Sequence, residues 1–340
     1  MRRHYIAIAL VILAFVLPSY AQETAVLLPL TGPYATLGKQ VQNGVIAAYY
    51  QQAQGNLHFY DTNMYTDFDE LYDQLEDEHI TFILGPLTKD NVQRFKRAYD
   101  GDIPAISLNY LPTGSSSEFY QFGLSPKDEA IQAAKLAWQQ GKRHAFVIAP
   151  DTEAGQSTQT AFTQTWLALG GTIVQNYRYT TDSHFSADLA AYLGITASKA
   201  RNDQLQKVLQ QKTTFTPQIR HDIDMIFLVA DAKTARQLKP ILKFHYAEAI
   251  PVYATASVYS GSPQAKLDAD LDGIYFCDST LRHDRLYSLG ADAYLLSQQT
   301  LQPNKPIHGL TGDIYVQSNH QLTRSMPCAQ FDNGVPHALT

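Results

Sequence analysis

The stretch Arg220–Gly261, RHDIDMIFLVADAKTARQLKPILKFHYAEAIPVYATASVYSG, limits the fold more tightly than any other part of the chain. Met225–Val229 and Pro251–Ala254 are short, near-continuous apolar runs, the pattern of parallel strands covered on both faces. Between them the spacing predicts a helix over about Ala232–Phe244, with Ala235, Leu238, Ile241 and Leu242 in one apolar stripe. Strand, helix and strand in this order form a βαβ unit, whose functional loops lie beyond the carboxyl ends of its strands. Here those loops are Ala230–Ala232 and Thr255–Ser260, and nothing in the stretch looks like a catalytic group.

The same rhythm runs through the rest of the chain. Strands are predicted at Thr24–Pro29, His58–Tyr60, Thr81–Leu84 and Ile103–Leu108, with helices over Gly38–Gln52, Phe68–Glu78 and Asp90–Tyr99 between them. The acidic run Asp67–Glu78 lies on a helix with Leu71 and Leu75 inward and reads as a solvated face. Leu111–Phe122, with Pro112, Gly114 and three serines, breaks the alternation and is the expected first crossing between two lobes. Ser125-Pro126-Lys127-Asp128 then starts a helix: Ser as N-cap, Pro at the first helical position, a carboxylate three residues on. His144–Ile148, Gln156–Leu169 and Thr172–Tyr179 continue as strand, helix and strand. Gln204–Phe215 reads as surface helix and loop, Asp284–Gln299 as a helix, and Gly312–Val316 with Gln321–Ala329 as a hairpin or a crossing pair. Alternation of this kind on either side of the break is the signature of doubly wound, mostly parallel sheets flanked by helices. We therefore expect an α/β fold of two such lobes: residues 22–122 plus roughly 262–310 in lobe I, and 123–261 plus roughly 311–340 in lobe II.

A length of 340 residues accommodates two ordinary domains. A net charge of −6 with no basic tract argues against a nucleic-acid partner. At the amino terminus Arg2 and Arg3 precede the apolar run Tyr5–Leu17, and Ser19-Tyr20-Ala21 supplies small residues for cleavage. Residues 1–21 thus read as a signal peptide cleaved after about Ala21, and the mature protein is expected in the periplasm. No Cys stands near this site, so no lipid anchor is evident. Cys277 and Cys328 are the two cysteines of the chain. An oxidising compartment allows a bridge between them; two buried free thiols are the alternative, since Cys277 ends the apolar run Gly273–Cys277.

Motifs for chemistry are sparse. There is no Gly-x-Ser-x-Gly elbow, no His-Glu-x-x-His, no paired CxxC, no Walker loop and no GxGxxG. Ser115–Ser117 reads as linker, and His221-Asp222 and His283-Asp284 as salt-linked or solvated surface pairs. We expect no catalytic residue, metal or cofactor. The loops after the strands are more suggestive: Leu30–Leu37, Leu87–Asn91, Asn109–Thr113, Asp151–Gly155 and Thr255–Ser260 converge on a cleft in a two-lobed α/β protein. Gly32-Pro33, inside the first of these loops, and Gly85-Pro86, just before the second, each follow a strand and precede a helix, whose amino terminus favours anions such as a carboxylate. Thr88, Asn109, Thr152 and Ser257 are the candidate ligand-binding residues; the alternative is that they only cap their own helices.

With these residues laid out, the chain resembles a type I periplasmic binding protein, a likeness carried by VLLPLTGPYATLGKQVQNGVIAAYY (Val26–Tyr50). More specifically it resembles the C-terminal domain of the penicillin-binding protein activator LpoA (LppC) family. That resemblance rests on LLPLTGPYATLG, ILGPLTKDNV (Ile83–Val92), FGLSPKDEA (Phe122–Ala130) and DIDMIFLVADAKTARQLKPIL (Asp222–Leu242). PVYATASVYSG (Pro251–Gly261), LDGIYFCD (Leu271–Asp278), RLYSLGADAY (Arg285–Tyr294) and HGLTGDIYV (His308–Val316) extend it over nearly all of the mature chain. The resemblance implies a non-enzymatic regulator that activates a class A penicillin-binding protein in peptidoglycan synthesis. The sequence departs from full-length members in having no lipobox Cys and no preceding helical repeat domain, so we expect an untethered protein of shorter reach. The competing expectation is a periplasmic solute-binding protein that takes an amino acid or other small carboxylate ligand in its interlobe cleft.

Overall fold

Successive side chains of a strand point to opposite faces of its sheet, so a strand buried throughout needs a helix layer on each side. The first strand, β1 (Glu23–Leu28), is buried from its second residue to its last. Ala25 and Leu27 pack into one apolar cluster, Val26 and Leu28 into another. The structure, a computed structural model, describes residues 22–52, 55–111, 118–279, 284–303 and 305–339. The signal segment 1–21, Pro112, Gly114, Ser115–Ser117 and His283 lie outside the described residues.

After β1 come α1 (Ala35–Gln52), β2 (Asn56–Asp61), α2 (Phe68–Asp77), β3 (Phe82–Leu84), α3 (Lys89–Ala98), β4 (Ala105–Ser107) and β5 (Phe119–Phe122). The chain then crosses to α4 (Pro126–Gln139), β6 (His144–Pro150), α5 (Glu153–Ala168), β7 (Thr172–Tyr179), α6 (Phe185–Tyr192) and α7 (Ile195–Leu209). The opening βαβ stretch follows as β8 (Met225–Leu228), α8 (Ala232–Phe244) and β9 (Val252–Ala254). The short α9 (Ala265–Asp268) leads to β10 (Ile274–Cys277). A return passage supplies α10 (Arg285–Ser297), β11 (Ile307–Gly309), β12 (Gly312–Val316) and β13 (Gln321–Ser325), and β14 (Cys328–Asp332) and β15 (Val335–Ala338) finish the chain.

Two sheets result. The first has the order β11-β12-β13-β5-β4-β3-β1-β2 and the second β15-β14-β10-β9-β8-β6-β7. From β1 to β5 and from β6 to β10 all pairings are parallel. The β11-β12-β13 and β10-β14-β15 ladders are antiparallel, and β13 joins β5 in parallel. In the second sheet α4 and α5 cover one face with Ala133, Ala137, Phe162 and Trp166, and α6 and α8 cover the other with Leu189, Ala235, Leu238 and Leu242. The stripe expected on α8 is the one that is buried, with Ile241 half-buried beside it. Leu71 and Leu75 of α2 are buried as well. Ser125 caps α4, accepting from the Lys127 N–H at 3.2 Å.

Strand pairing corrects the expected division of the chain. Residues 262–277 fall within the expected lobe I, yet β10 pairs with β9 in the second sheet. The segment after 311 falls within the expected lobe II, yet β12 and β13 extend the first sheet between β11 and β5, and the second regains the chain only at β14. The reason is local. Gln321–Ala329 reads as one strand, but Met326-Pro327 divides it, and proline cannot donate to a sheet ladder. Likewise Leu111–Phe122 is no mere linker: it ends in β5, and the crossing falls on Gly123–Ser125.

Two contacts fix the return passage. Helices α1 and α10 meet at Gly44 and Gly290, where a Cβ on the first would overlap the Tyr287 carbonyl oxygen and on the second that of Val41. Cys277 and Cys328, facing residues of β10 and β14, are joined by a disulfide. Among the described residues no helix is long and apolar enough to cross a membrane.

Candidate functional site

The four residues expected in the cleft are all engaged locally. Thr88 caps α3, its hydroxyl accepting from the Asn91 N–H at 3.4 Å, and Thr152 caps α5, accepting from Gly155 at 3.1 Å. The Asn109 side chain donates to the Leu87 carbonyl at 3.1 Å and accepts from the Tyr110 N–H at 2.9 Å. Ser257 donates to the Ala230 carbonyl and shares a hydrogen bond with the Thr255 hydroxyl, both at 2.9 Å. Asn109 and the Thr88 loop are thus brought together in the first lobe, and Ser257 and the loop after β8 in the second. Among the described residues no hydrogen bond joins one pair to the other. Both threonines make the capping bonds that the helix-capping alternative expects.

The ionisable groups instead concentrate where the chain passes between sheets. Its three passages are Gly123–Ser125, Asp278–Asp284 and Met326-Pro327, and each contributes charge. The first turn of α4 supplies Asp128 and Glu129. Glu129 accepts from the Ala256 N–H at 2.8 Å, in the loop after β9. Arg285, the first residue of α10, holds buried Asp278 at 2.6 Å and donates to the carbonyls of Ala256 (2.8 Å) and Tyr259 (3.1 Å). Arg324, near the end of β13, donates its backbone N–H to Asp128 at 3.3 Å, and its Nε stands 3.7 Å from the same carboxylate. Tyr110 donates to the Leu322 carbonyl at 2.6 Å and lies 3.3 Å from that of Gly123.

Removal from water dominates the electrostatics here. Burial pushes the Glu129 carboxyl up to about 7, against the pull of the Ala256 N–H and of Arg324. Burial likewise lifts Asp128 to about 6, with Arg324 drawing it back, and raises the Tyr110 hydroxyl. A carboxylate this costly to ionise responds to any change that readmits water. Two of its ion pairs, Arg285–Asp278 and Arg324–Asp128, join elements of different lobes, whereas Glu129 bonds within the second lobe.

Sequence reasoning missed this cluster. In the sequence Asp128 stands only as the acid of a helix start, and no local pattern announces that it faces Arg324, 196 residues away. The arginines of RLYSLGADAY and of the tail carried no spacing signal at all. Of the His-Asp dipeptides, Asp222 pairs with Arg220 at 2.7 Å rather than with His221, and Asp284 caps α10 through the Leu286 and Tyr287 N–H groups. Among the described residues, carboxylates that could share a cation gather at Glu76, Asp100 and Asp102, all exposed.

Comparison with known proteins places this geometry among relatives. A family model described as "LppC putative lipoprotein" matches residues 6–334. The penicillin-binding protein activator LpoA of Vibrio antiquarius is 27% identical over 91% of this chain and 57% of its own length. That of Photobacterium profundum is 27% identical over 91% and 56%. The chain thus spans a little over half the length of these curated relatives. Among solved structures, the LpoA C-domain from Haemophilus influenzae, described as a regulator of PBP1A, superposes with a TM-score of 0.76 at 23% identity. The match covers 94% of this chain and all of that one. An ABC transporter solute binding protein from R. palustris, in complex with 4-hydroxybenzoate, gives 0.56 at 15% identity over 93% and 94%. At such identities these likenesses speak for the fold, the two-lobed α/β architecture of periplasmic binding proteins.

Proposed function

The chain belongs to the LppC family, and from that membership we propose that it is an activator of a class A penicillin-binding protein in peptidoglycan synthesis, with no catalytic role of its own. The observation that carries this reading is the match, across nine-tenths of the chain, to relatives named as penicillin-binding protein activators. The junction supports it physically: the Arg285–Asp278 and Arg324–Asp128 pairs join the two lobes, which suits a body that presents a defined surface to a partner. The polar side chains of the cleft loops are likewise spent on their own helices and carbonyls, so this reading requires no ligand at Thr88, Asn109, Thr152 or Ser257. Export through residues 1–21, with cleavage after Ala21, delivers the protein to the periplasm, where such synthases work.

The test is a pull-down of the exported protein with the class A synthases of the same cell, paired with a glycan-polymerisation assay. Retention of one synthase and a severalfold rise in its polymerisation rate are expected. Failure to bind or stimulate any of them would remove the reading. A protein indifferent to every synthase that melts at a higher temperature with a free amino acid is a solute binder instead.

A further inference from the structure

A groove of about 620 Å³ runs between α4 of the second lobe and β12 and β13 of the first. None of the four cleft residues lines it. Its size falls in the range of small-molecule sites, roughly 300–1,000 Å³. Arg324 forms part of its wall and is 4% exposed. The guanidinium Nε and Nη2 have no hydrogen-bond partner in the protein, and the 3.7 Å from Nε to Asp128 exceeds hydrogen-bond length. A buried guanidinium is tolerated when it is paired, and its planar fork suits two carboxylate oxygens at once. Lys135, exposed at the rim, adds a second positive charge. Gln132, Gln317 and Thr323 line the same groove; the Gln317 amide nitrogen donates to the Thr323 hydroxyl at 2.7 Å, which leaves the Gln317 oxygen, the Thr323 proton and the Gln132 amide for an occupant.

We propose that this groove binds a carboxylate-bearing ligand of dipeptide size. The carboxylate is taken by Arg324 with Lys135, the ligand amide by Gln132, Gln317 and Thr323, and its ammonium group by Asp128. The walls come from different lobes, so an occupant bridges them beside the charged junction. The proposal stands apart from the regulatory reading: a synthase assay can fail while the groove still binds, and the reverse.

Dialanine, its carboxyl-terminal amide and sodium acetate are the probes, added at millimolar concentration to the full chain. Dialanine is expected to raise the melting temperature by about 2 °C or more and to slow hydrogen exchange in α4, β12 and β13. The amide should do neither. Lys135→Ala, a change at the exposed rim that leaves the fold intact, should weaken binding about fivefold, and Arg324→Lys, which keeps the charge but loses the fork, more than tenfold. No response to dialanine, an equal response to its amide, or binding indifferent to both substitutions overturns the site. A response to acetate as strong as that to dialanine overturns the peptide-sized assignment.

Discussion

Glu129 carries a pH dependence whose sign can be worked out. Its folded-state value, about 7, lies above the ordinary 4.5 because burial penalises the charged form. A carboxyl raised in this way contributes stability that is fully present below about 4.5 and is lost as pH rises through about 7. Melting curves between pH 5 and pH 8 should therefore show the protein losing up to about 3 kcal/mol from this group as the pH rises. Glu129→Gln, which stays neutral, should flatten that slope, and a variant with the slope of the parent would refute the assignment. Asp128, lifted to about 6 by burial, adds a loss of the same sign at slightly lower pH. The types of these residues were visible in the sequence, but their partners were not. Ser125-Pro126-Lys127-Asp128 announces a helix start because capping acts over three residues, whereas the meeting of Asp128 with Arg324 is decided by how two sheets are joined.

Helices and strands were the most legible features, because their signals are periodic and local. The stretch predicted as strand, helix and strand is β8, α8 and β9, with ends displaced by a residue or so. Pairing was harder to read, since β10 and β13 look alike as short apolar or mixed runs and only their neighbours decide which sheet receives them. The contact of α1 with α10 belongs to the same class. GVIAAYY and RLYSLGADAY each hold one glycine, and nothing in either segment says that the two helices touch through them. Gly44→Ala or Gly290→Ala would force backbone against side chain, and overpacking of this kind costs about 1–3 kcal/mol or more. Urea unfolding is expected to register that loss for either variant, whereas Gly141→Ala serves as a control, strained by its positive φ but with open space around the added methyl.

Across the whole molecule, the sequence indicates two lobes through its alternation, and composition agrees, but the interleaving of the chain between them does not follow from either. Three passages and a return segment are needed, and one edge of each sheet, β11 in the first and β15 in the second, comes from the far end of the chain. The Cys277–Cys328 bridge ties the second passage to the third, closing a loop over a separation of 51 residues. Chain-entropy reasoning assigns a loop of this length about 4 kcal/mol. A Cys277→Ser, Cys328→Ser double variant should lose stability of that order in denaturant titrations, while a loss below about 1 kcal/mol would show that the sheets alone hold the passages. The bridge also bears on the order of events. Cys277 precedes α10 and the strands β11 to β13, and Cys328 follows them, so in synthesis from the amino terminus its partner appears only after the whole return segment. The closed bridge therefore records that the return segment is complete, and no earlier stage of the chain can carry it.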